Sequence, residues 1–152
     1  LIIVSACLCG VNCKYSGGNN LNNDILKLFK EGKAILVCPE QLGGLETPRE
    51  PHEILQGTGE SVLSGTGKVI SKKGKNSTDN FVKGAYETLK IAQSCNAKVA
   101  ILKAKSPSCG CGIIYDGTFS GNKKEGNGVT AELLIKNGIK VYTEENFKDK
   151  NF

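Results

Sequence analysis

Three of the seven cysteines in this 152-residue chain follow short apolar runs. Leu1-Ile2-Ile3-Val4 leads to Cys7, and Ala34-Ile35-Leu36-Val37 leads to Cys38. Val99-Ala100-Ile101-Leu102 leads to Ser106-Pro107-Ser108-Cys109-Gly110-Cys111-Gly112. Runs of this length and composition read as buried strands, so three strand ends each deliver a thiol. In the serine–cysteine stretch Pro107 blocks helical continuation, and the glycines let the backbone pass close to a ligand. Two further thiols, Cys9 and Cys13, lie in the glycine-rich loop after the first strand.

Thiols in this pattern belong to metal or redox chemistry, because an odd count does not complete a disulfide framework. Zinc, an iron–sulfur cluster and a catalytic thiol are the three options. Structural zinc usually takes four ligands with Cys-x2-Cys pairs, and no such pair occurs here. One residue of spacing, as in Cys7-x-Cys9 and Cys109-x-Cys111, rarely lets both thiols ligate one metal, so one of each pair is expected to do so. A cubane iron–sulfur cluster accepts widely separated ligands, and three thiolates would leave one iron free as a Lewis acid. The plain alternative is that these are small buried hydrophobes, a reading that suits Cys95 at a helix end. Cys13 is open to three readings: a fourth ligand, a sulfur relay, or a packing residue.

Glu40 stands two residues after Cys38, behind a proline. Near a metal–sulfur site it would act as general acid or base; otherwise it is a solvent-facing loop residue. Ser106 and Ser108 either orient a substrate or bond their own loop backbone. The lone histidine, His52, falls in a proline-rich segment and reads as a surface loop residue. Neither a Ser–His–Asp nor a Cys–His arrangement is legible.

The elements that must position these groups follow from periodicity. A helix is expected from about Asn22 to Phe29, and another from Thr78 or Asp79 to Ser94, capped by Ser77 or Thr78. A third spans Val129 to Lys136. Lys68–Ser71 reads as a short strand at a sheet edge, Ile113–Gly121 as a loop or hairpin, and Ile139–Tyr142 as the last strand. Between the second strand and Gly67 the chain shows no sustained period, so an irregular insertion is expected there. Alternating strands and helices imply a single α/β domain over residues 1–152 with a mainly parallel sheet. Ligands of such sheets bind beyond the carboxyl ends of the strands, where Cys7, Cys38 and Cys109 fall.

Composition narrows the setting. Hydrophobic residues make up 39% and charged residues 23%, as in soluble globular domains. No apolar run approaches the roughly 20 residues that cross a bilayer, and Leu1–Val4 reads as a strand rather than a leader. The expected location is the cytoplasm. A net charge of +5 invites a nucleic-acid reading, but the lysines are scattered and not interleaved with aromatics. A solvated surface accounts for the charge, a small anionic ligand is compatible with it, and neither nucleic acid nor membrane is the expected partner.

As a set, these motifs resemble the bacterial thiouracil desulfidase family, long catalogued as domain of unknown function 523. The resemblance is carried by Ser5-Ala6-Cys7-Leu8-x-Gly10 with Asn12-Cys13-Lys14-Tyr15-x-Gly17, then Val37-Cys38-Pro39-Glu40-Gln41-Leu42-Gly43-Gly44-Leu45 and Thr47-Pro48-Arg49-Glu50-Pro51. Leu102-Lys103-x-x-Ser106-Pro107-Ser108-Cys109-Gly110 and Ile114-Tyr115-Asp116-Gly117-Thr118-Phe119-Ser120-Gly121 complete it. It implies a Rossmann-like fold, a [4Fe-4S] cluster on three cysteines, and non-redox removal of sulfur from a thiolated pyrimidine, giving uracil and hydrogen sulfide. The implied metal ligands are Cys7, Cys38 and Cys109, with Cys13 as rival. The implied catalytic groups are Glu40 and Ser106, and the candidate substrate-binding residues are Ser5, Tyr15, Ser108 and Asp116. Cys9 stands where the family usually has leucine, and Cys111 adds a thiol beside the main motif. Two other classes compete: a non-catalytic metal-binding module and a thiol redox protein.

Overall fold

Short runs of Ile, Val, Leu and Ala that bury both faces pair most readily as parallel strands under helices. The computed structural model, which describes residues 1–150 and 152, contains such a sheet. In chain order the elements begin β1 (Ile2–Ser5), α1 (Asn23–Lys30), β2 (Ala34–Val37), α2 (Pro39–Leu42), β3 (His52–Leu55), α3 (Gly59–Ser64) and β4 (Lys68–Ser71). They continue α4 (Thr78–Ser94), β5 (Val99–Leu102), β6 (Ile113–Tyr115), β7 (Lys123–Glu125), α5 (Val129–Lys136) and β8 (Lys140–Thr143).

The sheet runs β2-β1-β5-β8 and is parallel throughout. Register pairs Val4 with Leu36 on one side and with Ile101 on the other. Alternation along the strands divides the core in two. Ile3, Ala100 and Leu102 pack with Phe81, Ala85 and Leu134 from α4 and α5. Ile2, Val4 and Ile101 pack on the opposite side with Ile25 of α1 and Phe147. The chain leaves β1 for β2 on one side and reaches β5 on the other, so the topological switch point lies between β1 and β5.

The segment after β2 is more ordered than expected. It contains α2, α3 and the antiparallel pair β3–β4, in which His52 faces Ser71. The period was invisible because α2 has four residues and β3 begins with His52-Glu53, polar residues with tertiary partners. Lys68–Ser71 is a strand as expected, in this separate two-stranded sheet. Ile113–Gly121 opens a hairpin closed by Lys123–Glu125.

Two glycines seat α2 against α4. A Cβ on Gly84 would collide with the Pro39 carbonyl, and one on Gly43 with the Asn80 carbonyl. Asn80 Nδ2 then donates to the Gly43 carbonyl at 2.9 Å. The α4 cap differs from expectation, since the Ser77 hydroxyl makes no cap bond and lies 2.9 Å from His52 Nε2. Asn22 does cap α1, accepting from Asp24 and Ile25 N–H. No helix among the described residues is long and apolar enough to cross a membrane.

Candidate functional site

A cavity of about 510 Å³ opens at the carboxyl ends of β1, β2 and β5, the position open parallel sheets reserve for ligands. Cys7, Cys13, Cys38 and Cys109 all line it, as do Ser5, Tyr15, Glu40 and Ser106. Each of the three strand ends therefore contributes a thiol to one space, and Cys13 joins them from the loop after β1. All seven cysteines are free thiols.

The four thiols differ in their surroundings. Cys109 is buried, and burial pushes its thiol up to about 12; the Ser5 hydroxyl, which donates to Cys109 Sγ at 3.5 Å, acts in the opposite sense. Burial also raises Cys7, against a hydrogen bond from the Asn20 side chain. Cys38 is lowered to about 7, first because the Cys13 thiol hydrogen-bonds to it; the Gln41 N–H adds to this. Cys13, the donor in that pair, is raised. Cys38 Sγ also lies 3.7 Å from the Cys13 carbonyl. Cys38 also stands at the N-cap of α2 with Pro39 at the first helical position, a placement that pre-sets the helix start.

The donor set fits a sulfur-ligated iron cluster better than a single ion. Thiolates suit iron–sulfur clusters. Among the described residues, no three His, Cys, Asp or Glu side chains gather about one point closely enough to hold a single metal ion. Four thiols lining one cavity are the donors that such a cluster takes.

Glu40 is held by Arg49, a residue to which the sequence reading assigns no role. Arg49 Nε donates to Glu40 Oε2 at 2.9 Å, and Nη2 donates to the same oxygen. The guanidinium also donates to the carbonyls of Glu46 and Cys13 and to Thr47 Oγ1. Its side chain is 6% exposed and that of Glu40 17%. Glu40 Oε1 accepts none of these bonds and is not enclosed. Arg49 stands within Thr47-Pro48-Arg49-Glu50-Pro51, and its partner lies nine residues away in the chain.

Ser5 and Ser106 organise backbone as well as facing the cavity. Ser5 Oγ accepts from Lys103 N–H at 2.9 Å while donating to Cys109. Ser106 Oγ accepts from the N–H groups of Ser108 and Cys109 at 3.0 and 2.9 Å. Lys103, also on the wall, has its Nζ 2.8 Å from Glu144 Oε2.

Ser108 and Asp116 do not line the cavity. Ser108 is buried and its hydroxyl shares a 2.8 Å hydrogen bond with Thr130 Oγ1, tying the serine–cysteine loop to α5. Asp116 caps its own turn, and the Thr118 hydroxyl and N–H hold its carboxyl below the usual range. His52 is a strand residue on the cavity wall, not a surface loop residue. Its Nδ1–H donates to the Glu50 carbonyl, its ring packs on Phe81, and burial lowers its pKa. Outside the cavity, Cys9 packs in the core beside α1, Cys95 closes α4, and Cys111 Sγ lies 3.6 Å from the Val141 carbonyl.

Comparison with known proteins agrees with this arrangement. Residues 2–146 match the family model described as 2-thiouracil desulfurase. The uncharacterized protein YbbK of Bacillus subtilis (strain 168) is 50% identical over 149 residues, covering 98% of this chain and 99% of that protein. The solved structure of the [4Fe-4S]-dependent thiouracil desulfidase TudS superposes with a TM-score of 0.84 at 39% identity, covering 96% of this chain and 91% of that one. A match over nearly the whole length, on a fold with four thiols at one cavity, places this chain in the 2-thiouracil desulfurase family.

Proposed function

We propose that this protein is a [4Fe-4S]-dependent desulfidase that converts a thiolated pyrimidine such as thiouracil to uracil and hydrogen sulfide. The observation that carries the reading is the meeting of Cys7, Cys13, Cys38 and Cys109 with Glu40 on one cavity wall at the sheet's switch point. Cys7, Cys38 and Cys109 are the leading ligand set, because each follows a different strand of the sheet; Cys13, which shares the loop after β1 with Cys7, is the rival for one place. When bound, the cluster supplies a Lewis-acidic iron with an affinity for thiocarbonyl sulfur.

The chain's own groups supply the rest. Arg49 occupies Glu40 Oε2 and leaves Oε1 to act on a water. Glu40 Oε1 takes a proton from the water that adds at the thiocarbonyl carbon, and returns it as the sulfur departs. The Ser106 oxygen accepts from two backbone N–H groups, so its own O–H proton is available to a substrate oxygen or ring nitrogen. Thiouracil and water become uracil and hydrogen sulfide with no electron exchanged.

One observation favours a second reading. Cys38 Sγ lies 3.7 Å from the Cys13 carbonyl, and the neighbouring Cys13 thiol lowers Cys38 to about 7, a setting of the kind a redox thiol uses. The two readings differ in electron demand. Anaerobically reconstituted protein given thiouracil and no reductant releases sulfide under the first and none under the second.

A further inference from the structure

Phe119 adopts φ = 55°, in the left-handed region that bulky side chains rarely enter. Such a conformation persists only where its surroundings over-determine it, and it often marks a ligand site. Here the constraint comes from β3. Glu53, 9% exposed, accepts through Oε1 from Gly117 N–H at 2.9 Å and from Phe119 N–H at 3.2 Å. Gly117 itself has φ = 95° and runs so close to β3 that a Cβ would press on the Ile54 carbonyl. The Asp116 carboxylate closes the same turn through Thr118.

Core packing does not account for this strained aromatic. Among the described residues Phe119 belongs to neither apolar core and stacks on no other ring. It is half-buried, and it lines the cavity that holds the four thiols and Glu40. A large apolar ring, fixed by a distant carboxylate and facing a reaction space, needs a partner there. A planar heteroaromatic ring is the partner that its face matches.

We propose that Phe119 is the wall on which the pyrimidine ring stacks, and that Glu53 is the positioning residue that fixes it. The inference deepens the desulfidase reading and rests on it. Phe119 sets which substrates bind, and the thiols and Glu40 act on them. Specificity would favour planar rings over open-chain thioamides.

The test uses the cluster-loaded protein with two readouts, equilibrium dialysis of uracil and the kinetics of sulfide release from thiouracil. Phe119→Leu should weaken uracil binding and raise KM by about tenfold with kcat within about twofold, the scale of one lost base–aromatic stack. Phe119→Tyr should stay within about twofold of wild type in both. Glu53→Ala should weaken binding similarly, and combining it with Phe119→Leu should add little, because both changes remove one interaction. Glu53→Gln, which keeps an acceptor oxygen, should restore most of the loss and stands in if Glu53→Ala fails to fold. Unchanged uracil binding and KM in Phe119→Leu would overturn the inference, as would a fall in kcat alone. A wild-type protein that releases no sulfide would instead sink the desulfidase reading, and this inference with it.

Discussion

Arg49 and Glu40 form a nearly enclosed ion pair in which Arg49 Nε and Nη2 both address Glu40 Oε2. The same guanidinium reaches the Cys13 carbonyl at 2.9 Å. One side chain thus links the carboxylate after β2 to the thiol loop after β1. Removing one member of a buried pair leaves the other charge uncompensated, at a cost of about 3–5 kcal/mol. Arg49→Ala should therefore lower stability by roughly 3 kcal/mol in urea unfolding. Arg49→Lys should fold but lose on the order of 10²-fold in turnover, because a point ammonium cannot reproduce the fork that aims Glu40. Wild-type turnover in Arg49→Lys would show that the aim of Glu40 is unimportant.

Glu40→Gln keeps the shape of the side chain and removes its basicity. Iron and sulfide content should match wild type, while sulfide release falls on the order of 10²-fold, the scale of a lost general acid–base group. Equal rates would make the carboxylate a bystander and turn attention to Ser106.

The thiols should react in a fixed order in metal-free protein. Cys38, lowered to about 7 and partly exposed, is largely thiolate at pH 8. Cys109, pushed up to about 12 and buried, stays protonated. Brief iodoacetamide treatment followed by peptide mass mapping should find Cys38 modified first, with Cys13 and Cys109 well behind it. The reverse order would contradict the environments described for them.

The central sheet could be read from sequence because β1, β2 and β5 are continuous Ile, Val, Leu and Ala runs, buried on both faces. Their shared direction then brought Cys7, Cys38 and Cys109 to one end. The supports of the site were harder to see. Arg49 and Glu53 look like ordinary loop charges until partners 9 and 64 residues away close on them. Ser108 and Asp116 stand in conspicuous motifs, yet their oxygens serve Thr130 and Thr118. A side chain's direction out of a tight loop depends on tertiary neighbours, which local spacing does not encode.

His52 gives a pH signature. Burial lowers its pKa, with Glu40 and Glu50 opposing and Arg49 reinforcing the shift. The unfolded chain takes up this proton near the ordinary value of about 6.5, whereas the folded chain does so only at lower pH. Its stabilising share is therefore complete above about pH 6.5 and is lost as pH falls toward the folded pKa. Urea midpoints at pH 7.5 and 5.5 should differ less in His52→Gln than in wild type. An equal difference in both would place the titration elsewhere.

The most direct test is sulfide release by anaerobically reconstituted wild-type protein given thiouracil and no reductant, with Cys109→Ser alongside. Wild type should yield uracil and sulfide in equal amounts. Cys109→Ser should show weakened iron loading and no turnover. No sulfide from fully loaded wild-type protein, or sulfide that appears only when reductant is added, would contradict the desulfidase reading.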